Sequence, residues 1–125
     1  MRKLLSLFCL VIGLLACEDI LEVPDISDQQ VQILAPVNGS VLNQSTVRLS
    51  WDSVGDAEGY VVQVARPNFE NAAQFVVDTT LAIDTTYVGT RLNVNLTNDS
   101  YEWRVKAFNS GFETQFSRSG FQVNQ

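Results

Sequence analysis

The residue types that most often carry enzyme chemistry are sparse in this chain of 125 residues. It has no histidine, so it lacks the commonest general base and the commonest transition-metal ligand. One pair of nearby carboxylates is Asp52 with Asp56, and another is Asp78 with Asp84. Such pairs serve glycoside hydrolysis or calcium binding only if the fold brings them together, and aspartate at such positions ordinarily caps a turn. We therefore predict that the protein is not an enzyme and holds no metal or cofactor.

Aromatic residues in two polar segments are better candidates for a binding site. Phe69 lies in the segment 66–71, and Phe112 follows a glycine in the segment 108–113. An exposed aromatic ring there could stack on a sugar or anchor a protein interface. The alternative is that Phe69, Phe108 and Phe112 fold back and cap the core, and the sequence leaves both open.

The start of the chain has the pattern of a secretory signal peptide. Arg2 and Lys3 precede an apolar stretch over residues 4–16. A membrane-spanning helix needs about 20 apolar residues, and Glu18 ends the pattern before that length. Cys9 lies inside this leader and would be removed with it. Only Cys17 would remain, so a disulfide within the mature domain is excluded and the core must hold the fold.

Leu14, Ala16 and Cys17 resemble the bacterial lipobox, in which a leucine lies three residues before the modified cysteine and a small residue directly before it. The resemblance implies that residues 1–16 are removed and that Cys17 is acylated on its sulfur and then on its amine. Two or more acyl chains, at about 0.8 kcal/mol per buried methylene, make a lasting anchor. The membrane is thus the predicted partner of Cys17, and the predicted location is the bacterial outer membrane.

Residues 17–30 are acidic and show neither strand nor helix periodicity, so we predict that they are a tether between the lipid and the domain. Glu18 and Asp19 resemble the signal that directs lipoproteins of the Bacteroidetes type to the outer face of the outer membrane. The alternative is a solvated, repulsive spacer. The sequence leaves the membrane face open.

Charge excludes one class of partner. Arg2 and Lys3 leave with the leader, so the mature chain has six basic and fourteen acidic residues, a formal charge of −8. Nucleic acid is a poor partner for such an acidic surface.

Alternating apolar and polar residues predict strands over residues 31–35, 47–51, 59–65, 75–79, 91–96 and 101–107, and a last strand ending at Val123. The first two are predicted to pair as a hairpin. The segment 80–90 allows one bent strand, two short ones or a loop. In the segment 101–107 the alternation directs Lys106 outward, which favours a surface ion pair over activation of a nucleophile. The predicted inward residues there are Tyr101, Trp103, Val105 and Ala107.

Six or seven short strands with turns between them and no amphipathic helix predict an all-β fold, a single antiparallel β-sandwich. Leu49 and Trp51 resemble the second strand of a fibronectin type III domain with its core tryptophan. Leu96 and Tyr101 resemble the tyrosine corner of that family, although the loop 97–100 lacks the usual Pro-Gly. The resemblance implies a fibronectin type III-like, immunoglobulin-like domain of about seven strands over residues 31–125.

Three hydroxyl residues, Ser53, Thr79 and Thr85, each follow an aspartate. These sites resemble those at which Bacteroidetes periplasmic proteins receive O-linked glycans. Ordinary turn chemistry also produces such pairs.

These observations predict a membrane-anchored binding or adaptor module that contacts a glycan or a larger protein. Small sandwich domains of this kind resemble the N-terminal modules of starch-utilisation lipoproteins. The alternative is a structural subunit of an envelope assembly that holds a larger membrane protein through a sheet edge.

Overall fold

The computed structural model describes residues 22–83 and 89–125, and the regular structure within them is entirely β-strand. In these two ranges no helix is long and apolar enough to cross a membrane. The strands of the described residues are β1 (Ile33–Ala35), β2 (Ser40–Leu42), β3 (Thr46–Trp51), β4 (Gly59–Arg66), β5 (Gln74–Ala82), β6 (Arg91–Asn95), β7 (Asp99–Phe108) and β8 (Ser117–Val123).

The strands form two sheets, which confirms the predicted β-sandwich. One sheet has three strands in the order β1-β3-β6, and the other has five in the order β2-β8-β7-β4-β5. Eight strands are described where about seven were predicted, and the strand that the sequence analysis did not find is the short β2. It pairs with β8 in parallel, whereas the other pairings described are antiparallel.

β1 and β3 are antiparallel neighbours, as the hairpin pattern predicted, with Ile33 opposite Trp51. The chain between them does not form a simple turn. It crosses to the other sheet, where Ser40 pairs with Phe121. Gly39 lies at the crossing with φ of 88°, a conformation that favours glycine because a side chain would be strained there.

The segment that the sequence left open is partly strand. β5 runs beyond the predicted 75–79 as far as Ala82. Residues 84–88 lie outside the described part of the chain.

The core lies between the two inner faces and follows the period-two pattern of the strands. Trp51 packs against Tyr60 and Trp103, with ring centroids 5.4 and 6.1 Å apart. The Trp103 indole Nε1 donates a hydrogen bond of 3.2 Å to the Pro36 carbonyl. The inward row predicted for β7 is confirmed, and its buried members are Tyr101, Trp103, Val105 and Ala107.

The tyrosine corner forms as the resemblance implied. The Tyr101 hydroxyl donates a 2.7 Å hydrogen bond to the Thr97 carbonyl, four residues earlier. The absence of Pro-Gly from the loop does not prevent this bond, since it needs only the loop's backbone oxygen.

The packed part of the chain begins before Val31, where the domain was predicted to start. Ile26 is 1% exposed and belongs to the core together with Val31. The Gln29 amide donates to the Ile26 carbonyl and closes a turn. Of the stretch predicted to be a tether, residues 22–30 therefore lie on the sandwich. One buried isoleucine among exposed residues gives no periodicity, so the sequence pattern did not indicate this packing.

Candidate functional site

The loop between β7 and β8, residues 109–116, carries Phe112 and is called the Phe112 loop. The backbone N–H of Asn109 donates a hydrogen bond to the Phe112 carbonyl, and this bond closes a tight turn. The Asn109 Oδ1 accepts hydrogen bonds from the backbone N–H groups of Gly111 (3.0 Å) and Phe112 (2.9 Å). These bonds hold the backbone, and the Phe112 ring remains 38% exposed.

Asn109 also joins three segments of the chain. Its Nδ2 donates to the Pro24 carbonyl (2.8 Å) and to the Asp56 carbonyl (3.4 Å), and the residue is only 7% exposed. Val23 lies beside the same loop, because a Cβ added to Gly111 would be 3.4 Å from the Val23 Cγ1. The sequence analysis missed Asn109: an asparagine in a polar loop indicates a turn, but nothing local indicates its bond to a carbonyl 85 residues away.

Phe112 borders a shallow groove of about 570 Å³, lined by Val61, Lys106, Phe108, Asn109, Gly111, Phe112 and Glu113. Lys106 Nζ lies 3.0 Å from Glu113 Oε2, which confirms the surface ion pair expected for that lysine. Phe108 is half-buried and packs closely on Gly59, where an added Cβ would lie 2.5 Å from its ring. Phe108 thus packs on the outer face of the five-stranded sheet and does not cap the core as the alternative predicted, whereas Phe112 leaves much of its ring in solvent.

Phe69 lies in the loop between β4 and β5, residues 67–73, called the Phe69 loop. Its backbone N–H donates a 2.9 Å hydrogen bond to Glu102 Oε1. Its ring packs on the Arg104 guanidinium with the Arg104 Cζ 4.1 Å from the ring centroid, and the Phe116 ring lies 4.2 Å from the same carbon. Arg104 and Glu102 belong to the outward row of β7, so Phe69 lies on the outer face of the five-stranded sheet.

The Arg104 guanidinium is partly removed from water by this arrangement. Desolvation lowers its pKa, and the charge of Arg118 lowers it further, while Glu102 and Asp78 act in the opposite direction. Arg104 Nε donates to Gln63 Oε1 at 2.8 Å. The guanidinium therefore holds the Phe69 loop on the sheet through stacking and leaves little of the Phe69 ring for a ligand.

Phe75, which the sequence analysis read only as a strand residue, is more exposed than Phe69. It is 44% exposed, and its ring packs edge-on against Phe69 with centroids 5.4 Å apart. We call these two rings the Phe69–Phe75 pair. In the sequence, this pair could have been predicted from the position of Phe75 at the start of a strand that directly follows the loop containing Phe69.

The two candidate binding residues lie at opposite ends of β4, so the structure does not bring them into one site. Gly59, at one end, pairs with Phe108 beside the Phe112 loop. Arg66, at the other end, pairs with Gln74 beside the Phe69 loop. Seven residue steps at about 3.3 Å each separate these ends by about 23 Å.

The aspartates that could have served glycoside hydrolysis or calcium binding do not form a cluster within the described residues. Asp52 and Asp56 are exposed in the β3–β4 loop, and Asp56 has φ of 67°. Asp78 lies on β5 and accepts a 3.1 Å hydrogen bond from Gln63 Nε2. Asp84 lies outside the described residues. Residues 22–83 and 89–125 contain no group of three or more histidine, cysteine, aspartate or glutamate residues that could hold a metal ion.

The residues predicted to carry covalent groups have different surroundings. Ser53 is exposed in the β3–β4 loop, where a modifying enzyme could reach it. Thr79 is half-buried in β5 opposite Val62 and shares the inner face of the sheet. Thr85 and Cys17 lie outside the described residues.

Comparisons with known proteins agree on the fold. No family model and no curated protein matches the chain. Among solved structures, the fibronectin type III domain of the human collagen alpha-1(XX) chain matches with a TM-score of 0.54 and 12% identity, over 79% of this chain and 90% of that one. The protein FN3tt matches with a TM-score of 0.51 and 15% identity, over 75% and 95%. A redesigned β-sandwich protein gives 0.51 and 18%, over 77% and 92%. The chain therefore has a fibronectin type III-like, immunoglobulin-like β-sandwich fold.

Proposed function

We propose that the protein is a binding or adaptor module that a lipid on Cys17 anchors to the bacterial outer membrane, and that it contacts a protein or glycan partner. The leader, the lipobox pattern and the fibronectin type III-like fold support this proposal. Domains of that fold commonly serve as binding modules, and the solved structures that this chain resembles are typically non-enzymatic modules. Glu18 and Asp19 resemble the signal for the outer face of that membrane, and the face itself is left to experiment.

One observation carries the proposal further: the N-terminal segment is fixed to the end of the sandwich that carries the Phe112 loop. Pro24 is bonded to Asn109, and Val23 lies beside Gly111. Glu22 is five residues after Cys17, so the chain between them spans at most about 18 Å. An anchor at Cys17 would therefore hold the Phe112 loop near the membrane surface.

This orientation directs the other end of the sandwich away from the membrane. The Phe69–Phe75 pair lies about 23 Å further along β4. A partner that approaches from the aqueous side would meet that pair before the Phe112 loop. The exposed Phe75 ring is then the better candidate for stacking on a sugar or for filling a pocket in a protein interface.

The anchor is tested by replacing its acylated residue. The Cys17→Ser variant should move from the detergent phase to the aqueous phase, because acylation needs the thiol. Protease treatment of intact cells that express the wild-type protein reports the membrane face. An unchanged partition of the variant would overturn the anchored function.

The binding surface is tested with two matched variants. Phe75→Ala should weaken binding in a glycan array or partner crosslinking assay about tenfold, which corresponds to about 1.4 kcal/mol. Phe112→Ala removes a ring of similar exposure at the other end and should leave binding within about twofold. The reverse order of effects would contradict the orientation.

A second candidate function is that of a structural subunit in an envelope assembly. The length of β5 favours it, since this strand lies at the edge of the five-stranded sheet and has nine residues. In this function the backbone of the edge strand, rather than an aromatic loop, would contact the partner.

A further inference from the structure

β5 is the longest edge strand in the part of the chain that the structure describes. It has nine residues, and its neighbour in the sheet is β4. The other edge strands, β1, β2 and β6, have three, three and five residues. Long edges usually carry charges, prolines or bulges that prevent pairing with another chain. Asp78 is the only charged residue of β5, which has no proline, and its one irregularity against β4 lies near its beginning, at Val76.

The hydrogen bonds of β5 identify the residues that face the open edge. The Ile83 amide donates to the Glu58 carbonyl at 2.9 Å. In an antiparallel pair the bonded positions alternate, so Leu81, Thr79 and Val77 are bonded to their β4 partners. The intervening residues direct their N–H and C=O groups away from β4. These edge-facing residues are Asp78, Thr80 and Ala82.

The side chains of β5 indicate which kind of partner strand would fit at its open edge. Val77, Thr79 and Leu81 share the inner face with the core but are only half-buried, because no strand of residues 22–83 or 89–125 pairs with β5 on its far side. An added strand with apolar or β-branched residues in register would cover them. Asp78 lies on the outer face, where a basic residue opposite it would be favourable and an acidic one unfavourable.

The same aspartate disfavours a second copy of this chain. The antiparallel register that pairs all nine residues of β5 with another β5 would put Asp78 opposite its own copy. Like charges directly opposite each other destabilise a strand pair. The occupant that best fits the edge is therefore a strand from a different protein.

We propose that the open edge of β5 binds an extended segment of a protein partner, which adds a sixth strand to the five-stranded sheet and carries a lysine or arginine beside Asp78. The proposal rests on the second candidate function above and names its binding surface, but it does not depend on the lipid.

The test uses the full chain and two synthetic peptides as long as β5. Both alternate threonine and valine; one has lysine at its centre and the other has glutamate. Binding is followed by nuclear magnetic resonance of the backbone amides. The lysine peptide should shift the amides of Asp78, Thr80 and Ala82, and the glutamate peptide should bind at least about tenfold more weakly, about 1.4 kcal/mol.

Two variants of Thr80 separate backbone pairing from side-chain contact. Thr80→Pro removes an edge-facing N–H that β4 does not use, and proline is tolerated on edge strands. This variant should lose peptide binding at least about tenfold, about 1.4 kcal/mol. The matched Thr80→Ala variant keeps the N–H and should bind like the wild type. Asp78→Lys provides a test without proline and should reverse the preference between the two peptides.

Several results would overturn the proposal. These are no binding of either peptide, equal binding by the Thr80→Pro and wild-type chains, or shifts centred on the Phe112 groove. Concentration-dependent self-association that Thr80→Pro abolishes would assign the edge to a second copy instead. The Cys17→Ser variant should bind the peptides like the wild type, so a failure of the anchor and a failure of the edge are distinguishable.

Discussion

The Phe112 loop and the Phe69 loop look alike in sequence, since each is a polar segment with one candidate phenylalanine, but they are held in different ways. The backbone of the Phe112 loop is fixed by the hydrogen bonds that Asn109 Oδ1 accepts from the N–H groups of Gly111 and Phe112. The Phe69 loop is held through its ring, which packs on the Arg104 guanidinium. A loop fixed by its backbone can present its ring to a ligand, whereas a loop fixed by its ring cannot. The exposure of a loop aromatic thus depends on which distant residue holds the loop.

Both loops rest on one shared core, and replacement of Trp51 in that core should have the largest effect. Trp51→Ala should lower the free energy of unfolding by about 3–5 kcal/mol, because the indole is buried against Tyr60 and Trp103. Denaturant unfolding followed by Trp103 fluorescence measures this. A loss below about 1 kcal/mol would mean that the two ends do not share this support.

Asn109→Ala should loosen the Phe112 loop alone. The variant removes the partly buried hydrogen bonds to the Pro24 carbonyl and to two loop N–H groups, which should cost about 1–2 kcal/mol. Hydrogen exchange should rise in residues 22–27 and 109–112 and stay unchanged in residues 67–73. Asn109→Asp keeps the Oδ1 acceptor and loses the Nδ2 donor, so it should release Pro24 but not the turn. Faster exchange in both loops would remove the distinction between them.

Arg104→Met is the corresponding change for the Phe69 loop. Methionine replaces the apolar stem of Arg104 and removes the charge that packs on Phe69 and Phe116, so we expect a loss of about 1–2 kcal/mol. Exchange should rise in residues 67–73 and not in residues 22–27. Arg104→Lys retains the charge without the planar group and should recover only part of the stability. Full recovery with lysine would show that charge alone holds the loop.

Phe112→Ala should have the smallest effect on stability. Its ring is 38% exposed and its loop is held by backbone bonds, so the loss should be about 1 kcal/mol or less. Thermal unfolding of this variant beside Phe69→Ala, which also removes the Arg104 stacking, should give the larger shift for Phe69. A larger shift for Phe112 would contradict the assignment of structural and exposed rings.

The sequence was sufficient for the features that depend on local periodicity. The inward row of β7 and the tyrosine corner followed from alternation and from the resemblance carried by Leu96 and Tyr101, and both are confirmed. The features that depend on contacts between distant residues were not accessible. Ile26 is a single buried residue with no pattern around it, and Asn109 bonds to residues far away in the chain. β2 pairs in parallel with β8 because the chain crosses from one sheet to the other, and a strand of three residues is too short for its sequence pattern to indicate this crossing.

The same limit applies to the candidate site. Residue type and loop position indicated Phe69 and Phe112, whereas the strand pattern around Phe75 gave no sign of an exposed ring. Whether the Phe69 ring is free depends on Arg104, which lies 35 residues further along the chain. Residue types therefore located the candidate loops, and three-dimensional packing decided which ring is exposed.

The attachment of residues 22–30 to the sandwich has a mechanical consequence for a protein held by its N-terminus. A pull between the lipid and a bound partner would first load the bond between Pro24 and Asn109 and the packing of Ile26, rather than the strands. If these contacts yield before the sheets, about nine residues are released and the reach grows by about 30 Å. Single-molecule stretching of the anchored chain should then show a small extension before the main unfolding event, and Asn109→Ala should lower the force of that first step.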